Sequence, residues 1–554
     1  MTKNIGNSKN KKVSYARLSF KKKSVRDSKE EIWKELLLLF AMIVIFLLPD
    51  VIFSIFDENF KLSHDPKVIF LLIPLSIGLI YNKFSWLSYF LITILCVFQI
   101  MQFSSLIYFK NLLSPYAVYL FLREIHDTFQ EVSNVFLRYG CIVPMILLPF
   151  CGIAYCVKKS RRKSLFGTIV LLISFSFCGY QYFNTINPRF TPNSLRFTIN
   201  NSLKAFWGWV VIECKKFPVK NYKPYKVISL NREFTEPITI VYIIGESANY
   251  RHMSLFGYEK NTTPKLIELS HLPNVYVTKG ISGAISTISS CKFIMNLLRE
   301  PNNPMQAASD ATNLFKLAKN RGFKTFYLSN QSEHLISSLG GANYIDVVYT
   351  SDQNPIESAQ INDDVLLKLA KNQKFSRRNF IVLHQRCIHT PYAKAISKNF
   401  NITEKFSDNS DPMINDYDNS MLYNDHIIFE LFNYLSQQFE GKFYIFWASD
   451  HNEPLGENGV FGHGHGTLKP VTAEIPVIIQ SNDEEFLKNF REIFRPNHYE
   501  IAESIARLLG YEIQNPNEEK DVFYICGIDF NGKCGYMKYQ KNSAAHMLEY
   551  VEEH

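Results

Sequence analysis

Two hydrophobic patterns divide the chain. Over the first third, apolar residues run almost unbroken at about 32–56, 66–82, 85–109, 135–157 and 165–183. Each stretch is near the ~20 residues that a helical bilayer span needs, so they predict five transmembrane helices. Beyond them the apolar runs shorten and are bounded by turn residues: 238–244, 380–383 and 443–447 read as fully buried strands. The expected order is strand 238–244, helix near 262–270, helices 291–299 and 308–320, strand 324–328, helix 358–372, strand 380–384, helix 418–437, and strands 442–448 and 475–480. Such alternation predicts an α/β soluble domain with a mostly parallel central sheet.

Charge sets the orientation. Residues 1–29 carry ten Lys/Arg and one Asp, equal to the whole net charge of +9, so the remainder is neutral. This excludes a nucleic-acid partner as the reason for the basic balance and makes the N-terminus a topology signal with affinity for anionic headgroups. A second basic cluster, Lys158, Lys159, Arg161, Arg162 and Lys163, follows the fourth span. Both clusters belong on the inner face, and five spans then place everything after 183 on the outer face. The expected domains are a basic inner N-terminus (1–31), a five-span domain (32–183), a linker (184–236) and a soluble domain (237–554). In the linker, Trp207 and Trp209 beside Lys204, Lys215 and Lys216 read either as a helix lying in the membrane interface or as an ordinary packing helix. The spans hold few ionisable residues, which argues against transport.

Of ten cysteines, five fall in the spans and five beyond them. Cys526 and Cys534 flank an Asn531-Gly532 turn signal, which predicts a hairpin stapled by a disulfide in an oxidising compartment.

Candidate chemistry lies at the ends of the buried strands. Glu246 follows 238–244, Asp450 and His451 follow 442–448, and His384 and His389 follow 380–383. Ligands gather outside the carboxyl ends of the strands in open α/β sheets, so these runs can deliver Glu246, Asp450 and His451 to one point. Carboxylate and imidazole donors without a thiolate cluster suit a catalytic zinc or similar divalent ion. Thr287 lies in a Ser/Thr-rich run before a predicted helix. Ser286, Thr287, Ser289 and Ser290 either cap that helix or supply a hydroxyl nucleophile favoured by a metal and the helix dipole. His463 sits among glycines in Gly462-His463-Gly464-His465-Gly466, which lets an imidazole approach an anion or metal closely.

Taken together, Gly245-Glu246-Ser247, the 253–258 segment Met-Ser-Leu-Phe-Gly-Tyr with Thr262-Thr263-Pro264, Thr287-Ile288-Ser289-Ser290, Asp416 to Ser420 with Tyr423 to His426, Asp450-His451 and Gly462-His463-Gly464 resemble the bacterial phosphoethanolamine transferases. That resemblance implies an inner-membrane protein with a periplasmic catalytic domain of the alkaline phosphatase/sulfatase superfamily. It also implies one or two zinc ions held by Glu246, Thr287, Asp450 and His451, with Thr287 as nucleophile. His389 and His463 would act on the transferred phosphate or hold a second metal, and Glu453, Asn330 and Gln331 would bind substrate. The implied donor is phosphatidylethanolamine and the implied acceptor a lipopolysaccharide core sugar or lipid A. Departures are Asn452 where the family has Gly, and Cys291-Lys292 where it often has Pro. Two other readings are a phosphoglycerol transferase resembling lipoteichoic acid synthase and a non-catalytic, membrane-tethered binding protein.

Overall fold

The computed structural model describes residues 25–57, 60, 62, 67–110, 112–123, 140, 142–183, 197–214, 220–353, 362–398, 400, 405–407, 411–463, 468–529, 534–542 and 547–553. The basic segment 1–24, the start of the predicted fourth span, linker residues 184–196 and 215–219, and the Asn531-Gly532 turn lie outside the described residues.

Helices occupy all five apolar stretches: α1 (Val25–Phe56), α2 (Lys67–Tyr81), α3 (Ser85–Phe109), α5 (Ile142–Lys159) and α6 (Leu165–Phe183). Between α3 and α5 lies a short α4 (Pro115–Arg123), which the apolar pattern did not single out. Among the described residues two segments, Lys29–Phe56 and Ser85–Ile107, are long and apolar enough to cross a membrane, and the apolar helices Phe70–Tyr81 and Leu165–Phe177 are shorter. The outward faces of this group expose Phe40, Phe56, Phe70, Leu148, Phe166 and Ile173. A belt of that kind is costly in water and suits lipid. Helix α7 (Thr198–Cys214) covers the Trp-rich stretch. Its Leu203 joins the core of the helical group, and its Ile212 joins the core of the α/β domain. Helix α4 bridges in the same way, with Tyr116 and Tyr119 in the α/β core and the Tyr119 hydroxyl donating to Asp529 Oδ2 at 2.8 Å.

The α/β domain is built on a seven-stranded sheet ordered β3-β8-β7-β2-β6-β4-β5. Its strands are β2 (Ile238–Gly245), β3 (Val275–Ile281), β4 (Lys324–Ser329), β5 (Val347–Tyr349), β6 (Arg378–His384), β7 (Lys442–Ser449) and β8 (Glu474–Ser481). Strands β7, β2, β6, β4 and β5 are mutually parallel, while β8 runs antiparallel to β7 and β3 antiparallel to β8. The sheet is therefore mixed: five of its seven strands are mutually parallel, as a mostly parallel sheet requires, and the antiparallel β8 and β3 lie at one edge. Every residue of β2 is buried because cores lie on both faces. Ile240, Tyr242 and Ile244 pack on one side, Val241 and Ile243 on the other, as the two-residue period of a strand requires.

Strand β1 (Lys226–Ser229) pairs with β9 (Tyr511–Gln514), and β10 (Val522–Cys526), β11 (Tyr536–Asn542) and β12 (Met547–Glu553) form a separate antiparallel sheet. The hairpin expected around 526–534 exists, with Cys526 opposite Tyr536. The disulfide expected there does not: Cys526 and Cys534 are not bonded to each other. Cys526 packs with Ala284, Phe293 and Leu298, whereas Cys534 belongs to the main core, so the two sulfurs serve different apolar clusters. Cys291 and Cys387 are also free and sit in the cores on opposite faces of the sheet.

Candidate active site

The parallel strands β2 and β7 are neighbours in register, with Gly245 opposite Ser449, so their next residues emerge side by side at the carboxyl edge. Those residues are Glu246 and Asp450-His451. The strands can approach because position 245 has no side chain: a Cβ there would stand 3.0 Å from Trp447 Nε1. Ser247 then turns the chain through the left-handed region at φ 53°. Such backbone is unfavourable for serine and is held by local bonds. The Ser247 amide donates to Asp450 Oδ1 at 3.0 Å, and its hydroxyl donates to Glu246 Oε1 at 2.7 Å.

Opposite this edge, α8 (Thr287–Met295) begins at Thr287, with Ser286 as its extended N-cap. Capping does not explain the Ser/Thr cluster. The Ser286 side chain makes no capping bond, and the Ser286 and Ser289 hydroxyls both donate to the Ile528 carbonyl, at 3.2 and 3.0 Å. Ser290 donates to the Ala284 carbonyl at 3.0 Å. Thr287 is left facing the ligands, its Oγ1 3.3 Å from Glu246 Oε2 and 3.3 Å from His451 Nε2.

Glu246, Asp450 and His451 are buried, and one ligand atom from each lies within 4.8 Å of the others. Asp450 Oδ1 accepts the amides of Ser247 and His451, whereas Asp450 Oδ2 is buried with no hydrogen-bond partner. That oxygen lies 3.2 Å from His451 Nε2, and a buried carboxylate oxygen without a hydrogen bond is expensive. Burial pushes the Asp450 carboxyl above its usual range and, with the neighbouring His463, pushes His451 well below its own. A buried acid and a neutral imidazole converging on one point are what a divalent cation stabilises, so these residues fit a metal ion.

The remaining predicted residues divide. Gln331 joins the site, donating from Nε2 to Glu246 Oε2 at 2.8 Å and to the Gln385 carbonyl at 2.8 Å. Asn330 does not: its amide points away to Asp363 Oδ1 at 2.8 Å and the Asn362 carbonyl at 3.1 Å. His463 stacks near His451 with ring centres 4.0 Å apart, and His389 lies 6.2 Å beyond His463. Glu453 holds this row, paired with His463 Nδ1 and accepting the Tyr392 hydroxyl at 2.7 Å. Burial would raise its carboxyl, but His463, Tyr392 and His389 together bring it below the usual range. His384 turns to the other side of β6, with Nδ1 2.9 Å from the Tyr327 hydroxyl, and is not a ligand here. His465 lies outside the described residues.

Sequence reasoning missed two supports. His498, opening helix α9 (His498–Leu508), accepts the Gly283 amide at Nδ1 (3.1 Å) and meets the Ser449 carbonyl at Nε2 (2.9 Å), tying the turn before Thr287 to the end of β7. Trp447 donates to Gln385 Oε1 at 2.7 Å beneath the site. Neither has a local motif that could have revealed it.

The helix that starts at Thr287 lies over the carboxyl edge of a mixed α/β sheet, where carboxylate and imidazole groups from adjacent strands converge, and residues 238–511 match the sulfatase family. The relatives of the chain include phosphoethanolamine transferases. It is 30% identical over 306 residues to the Kdo(2)-lipid A phosphoethanolamine 7''-transferase of Salmonella typhimurium, covering 50% of this chain and 52% of that one. It is 26% identical over 351 residues to phosphoethanolamine transferase EptA of Helicobacter pylori, covering 59% and 63%. The matched region thus spans about half the length of the first of these relatives. Integral membrane lipooligosaccharide phosphoethanolamine transferase A from Neisseria meningitidis shares the fold at a TM-score of 0.53 and 16% identity, over 86% of this chain and 95% of that one. That likeness includes the helical part as well as the catalytic domain.

Proposed function

We propose that this chain transfers phosphoethanolamine from phosphatidylethanolamine to lipopolysaccharide, at a core sugar or lipid A, through a covalent intermediate on Thr287. One observation carries the reading. Among the hydroxyls of the 286–290 run, that of Thr287 alone faces Glu246, His451 and the unsatisfied Asp450 Oδ2, while Ser286, Ser289 and Ser290 are engaged with backbone carbonyls. The names of the relatives point to the same group being transferred.

Glu246, Asp450, His451 and Thr287 would hold a zinc ion, which supplies Lewis acidity and lowers the pKa of a neighbouring hydroxyl. Thr287 Oγ1 attacks the donor phosphorus, forming the P–Oγ1 bond as the bond to the diacylglycerol oxygen breaks. His389 or His463 gives that leaving oxygen its proton and stabilises charge on the phosphoryl oxygens. An acceptor hydroxyl then attacks the same phosphorus, its proton passing to the histidine that protonated the first leaving group, as the P–Oγ1 bond breaks and Thr287 Oγ1 leaves. Glu453 positions His463 and offers a carboxylate to the ethanolamine ammonium. Gln331 orients Glu246. The helical part, with five spans, an inner N-terminus and α7 at the outer interface, would hold the catalytic edge at headgroup height.

Mass spectrometry of the full-length protein incubated with phosphatidylethanolamine and zinc tests this. The expected result is a mass increase of about 123 Da on the peptide containing Thr287, the group a threonine nucleophile would carry, and its loss in Thr287→Ala. An adduct of about 154 Da from phosphatidylglycerol would instead establish the phosphoglycerol reading. Absence of both would leave the tethered binding protein.

A further inference from the structure

Beside the reaction centre, two guanidinium groups converge on a single carboxylate. Glu474 opens β8 opposite Ile281, the last residue of β3. Its Oε2 is paired with Arg251, its Oε1 lies 3.2 Å from Arg495 Nη1, and the Tyr250 hydroxyl donates to it at 3.2 Å. Those groups satisfy Glu474. Lys279 adds a further positive charge with no carboxylate partner among the described residues: its Nζ lies 4.6 Å from the centre of the Tyr250 ring, and the Arg251 guanidinium lies 4.5 Å from the same ring. Burial, Arg495 and Arg251 together depress the Lys279 ammonium, as unbalanced like charge does. The nearby Glu457 is engaged elsewhere, with Asn249 Nδ2 and the Leu455 amide. Two donors in the cluster lack acceptors: Arg251 Nη1 and the Tyr550 hydroxyl.

The location matters as much as the charge. Arg251 follows Glu246 by five residues, Lys279 precedes Thr287 by eight, and Arg495 adjoins Pro496, whose carbonyl accepts the Ile281 amide at 3.1 Å. The cluster therefore stands at the same carboxyl edge as the catalytic residues, two strand spacings from β7 across the sheet, or about 10 Å.

We propose that Arg251, Lys279 and Arg495 form a subsite for a phosphate ester, separate from the phosphate undergoing transfer. Excess positive charge, half-buried ammonium and guanidinium groups and unsatisfied donors suit a phosphate group, which brings both charge and acceptor oxygens. The group could be carried by the glycolipid acceptor or by a neighbouring bilayer phospholipid. The proposal rests on the transferase reading for its place in the reaction, and its binding chemistry can be tested without it.

The test uses the full-length protein in lipid vesicles and the variants Lys279→Ala and Lys279→Arg. Three quantities are read: the acceptor KM and kcat with a phosphorylated acceptor and with the same acceptor after phosphatase treatment, the rate of Thr287 adduct formation from donor lipid alone, and protection of Lys279 from amine acetylation by inorganic phosphate. If the acceptor supplies the phosphate, Lys279→Ala raises KM about tenfold for the phosphorylated acceptor only, kcat is kept, and Lys279→Arg restores KM. If a bilayer lipid supplies it, Lys279→Ala slows adduct formation and acceptor KM is unchanged. Phosphate protects Lys279 in either case. Absence of protection together with unchanged kinetics overturns the subsite. A wild-type protein that forms no Thr287 adduct but whose Lys279 is protected by phosphate overturns the transferase reading and keeps the subsite.

Discussion

Replacing His498 with alanine separates two effects that the structure joins in one ring. The imidazole bridges the Gly283 amide and the Ser449 carbonyl, and it is fully buried. Removing it leaves two buried backbone groups unpaired at about 1–3 kcal/mol each, partly offset by local collapse, so His498→Ala should cost roughly 3–5 kcal/mol near neutral pH. The same burial pushes His498 from 6.5 down to about 4. A base depressed in the folded state keeps its full stabilisation above its unfolded pKa and loses it as pH falls toward its folded pKa, because only the unfolded chain takes up the proton. Across that window the loss reaches about 3 kcal/mol, of which roughly 2 kcal/mol falls between pH 6.5 and pH 5. The alanine variant has no such group. The stability gap between wild type and His498→Ala should therefore narrow by roughly 2 kcal/mol on going from about pH 7.5 to about pH 5, or about 3 °C in apparent Tm for a soluble unit of this size. Buried His384, which is pushed down to about 3 by desolvation, loses stability with acid in both proteins and cancels in the comparison. Thermal unfolding of the detergent-solubilised protein at the two pH values measures the gap. A gap that stays constant or widens in acid would refute the assignment of a neutral, bridging His498.

Gln331→Ala removes the amide that holds Glu246 Oε2 and should lower transfer or metal affinity about 10–100-fold with a near-native Tm, whereas Asn330→Ala should act through stability because its amide supports Asp363. Chelation should lower the apparent Tm, and added zinc should restore it by about 3–4 kcal/mol equivalent when present at a hundred to a thousand times its Kd; an unchanged Tm would exclude a bound ion. Alkylation of the denatured, unreduced protein should label both Cys526 and Cys534, and Cys526→Ala should not show the 2–4 kcal/mol loss typical of removing a disulfide. Tyr119→Phe, which removes the hydroxyl on Asp529, should slow transfer from bilayer lipid while sparing hydrolysis of a short, water-soluble phosphoethanolamine ester; equal loss on both substrates would mean that Tyr119 acts only through folding.

The parts of this architecture that were legible in the sequence are those in which one short run carries its own signal. Strands β2, β6 and β7 are buried on both faces and so are unbroken apolar runs, and the residues just after β2 and β7 could be assigned to one edge from the rule for parallel sheets. Strand β3 was missed because it is an edge strand: Thr278, Lys279 and Gly280 interrupt it, and most of its length is only half-buried. The antiparallel entry of β8 could not be read either, since its residues are as apolar as those of a parallel strand. Asn330 and Gln331 show the limit at single-residue scale. Successive side chains leave the end of β4 in different directions, and nothing in the dipeptide says which faces Glu246. The expected disulfide failed for a related reason. Spacing and a turn signal located the hairpin, but the two cysteines pack into different clusters, which depends on tertiary packing.

The bond from Tyr119 to Asp529 has a consequence for how substrate is found. Asp529 adjoins Ile528, whose carbonyl anchors the hydroxyls on either side of Thr287, so α4, lying between two of the apolar helices, is two residues removed from the turn that carries the Thr287 hydroxyl. With α1 and α3 in a bilayer and Thr287 as the proposed nucleophile, that oxygen would be held at a fixed altitude and would meet lipids by lateral drift within a single leaflet. Its turnover should then follow the mole fraction of donor in the surface, and diluting the vesicles at constant lipid composition should leave the rate per protein unchanged.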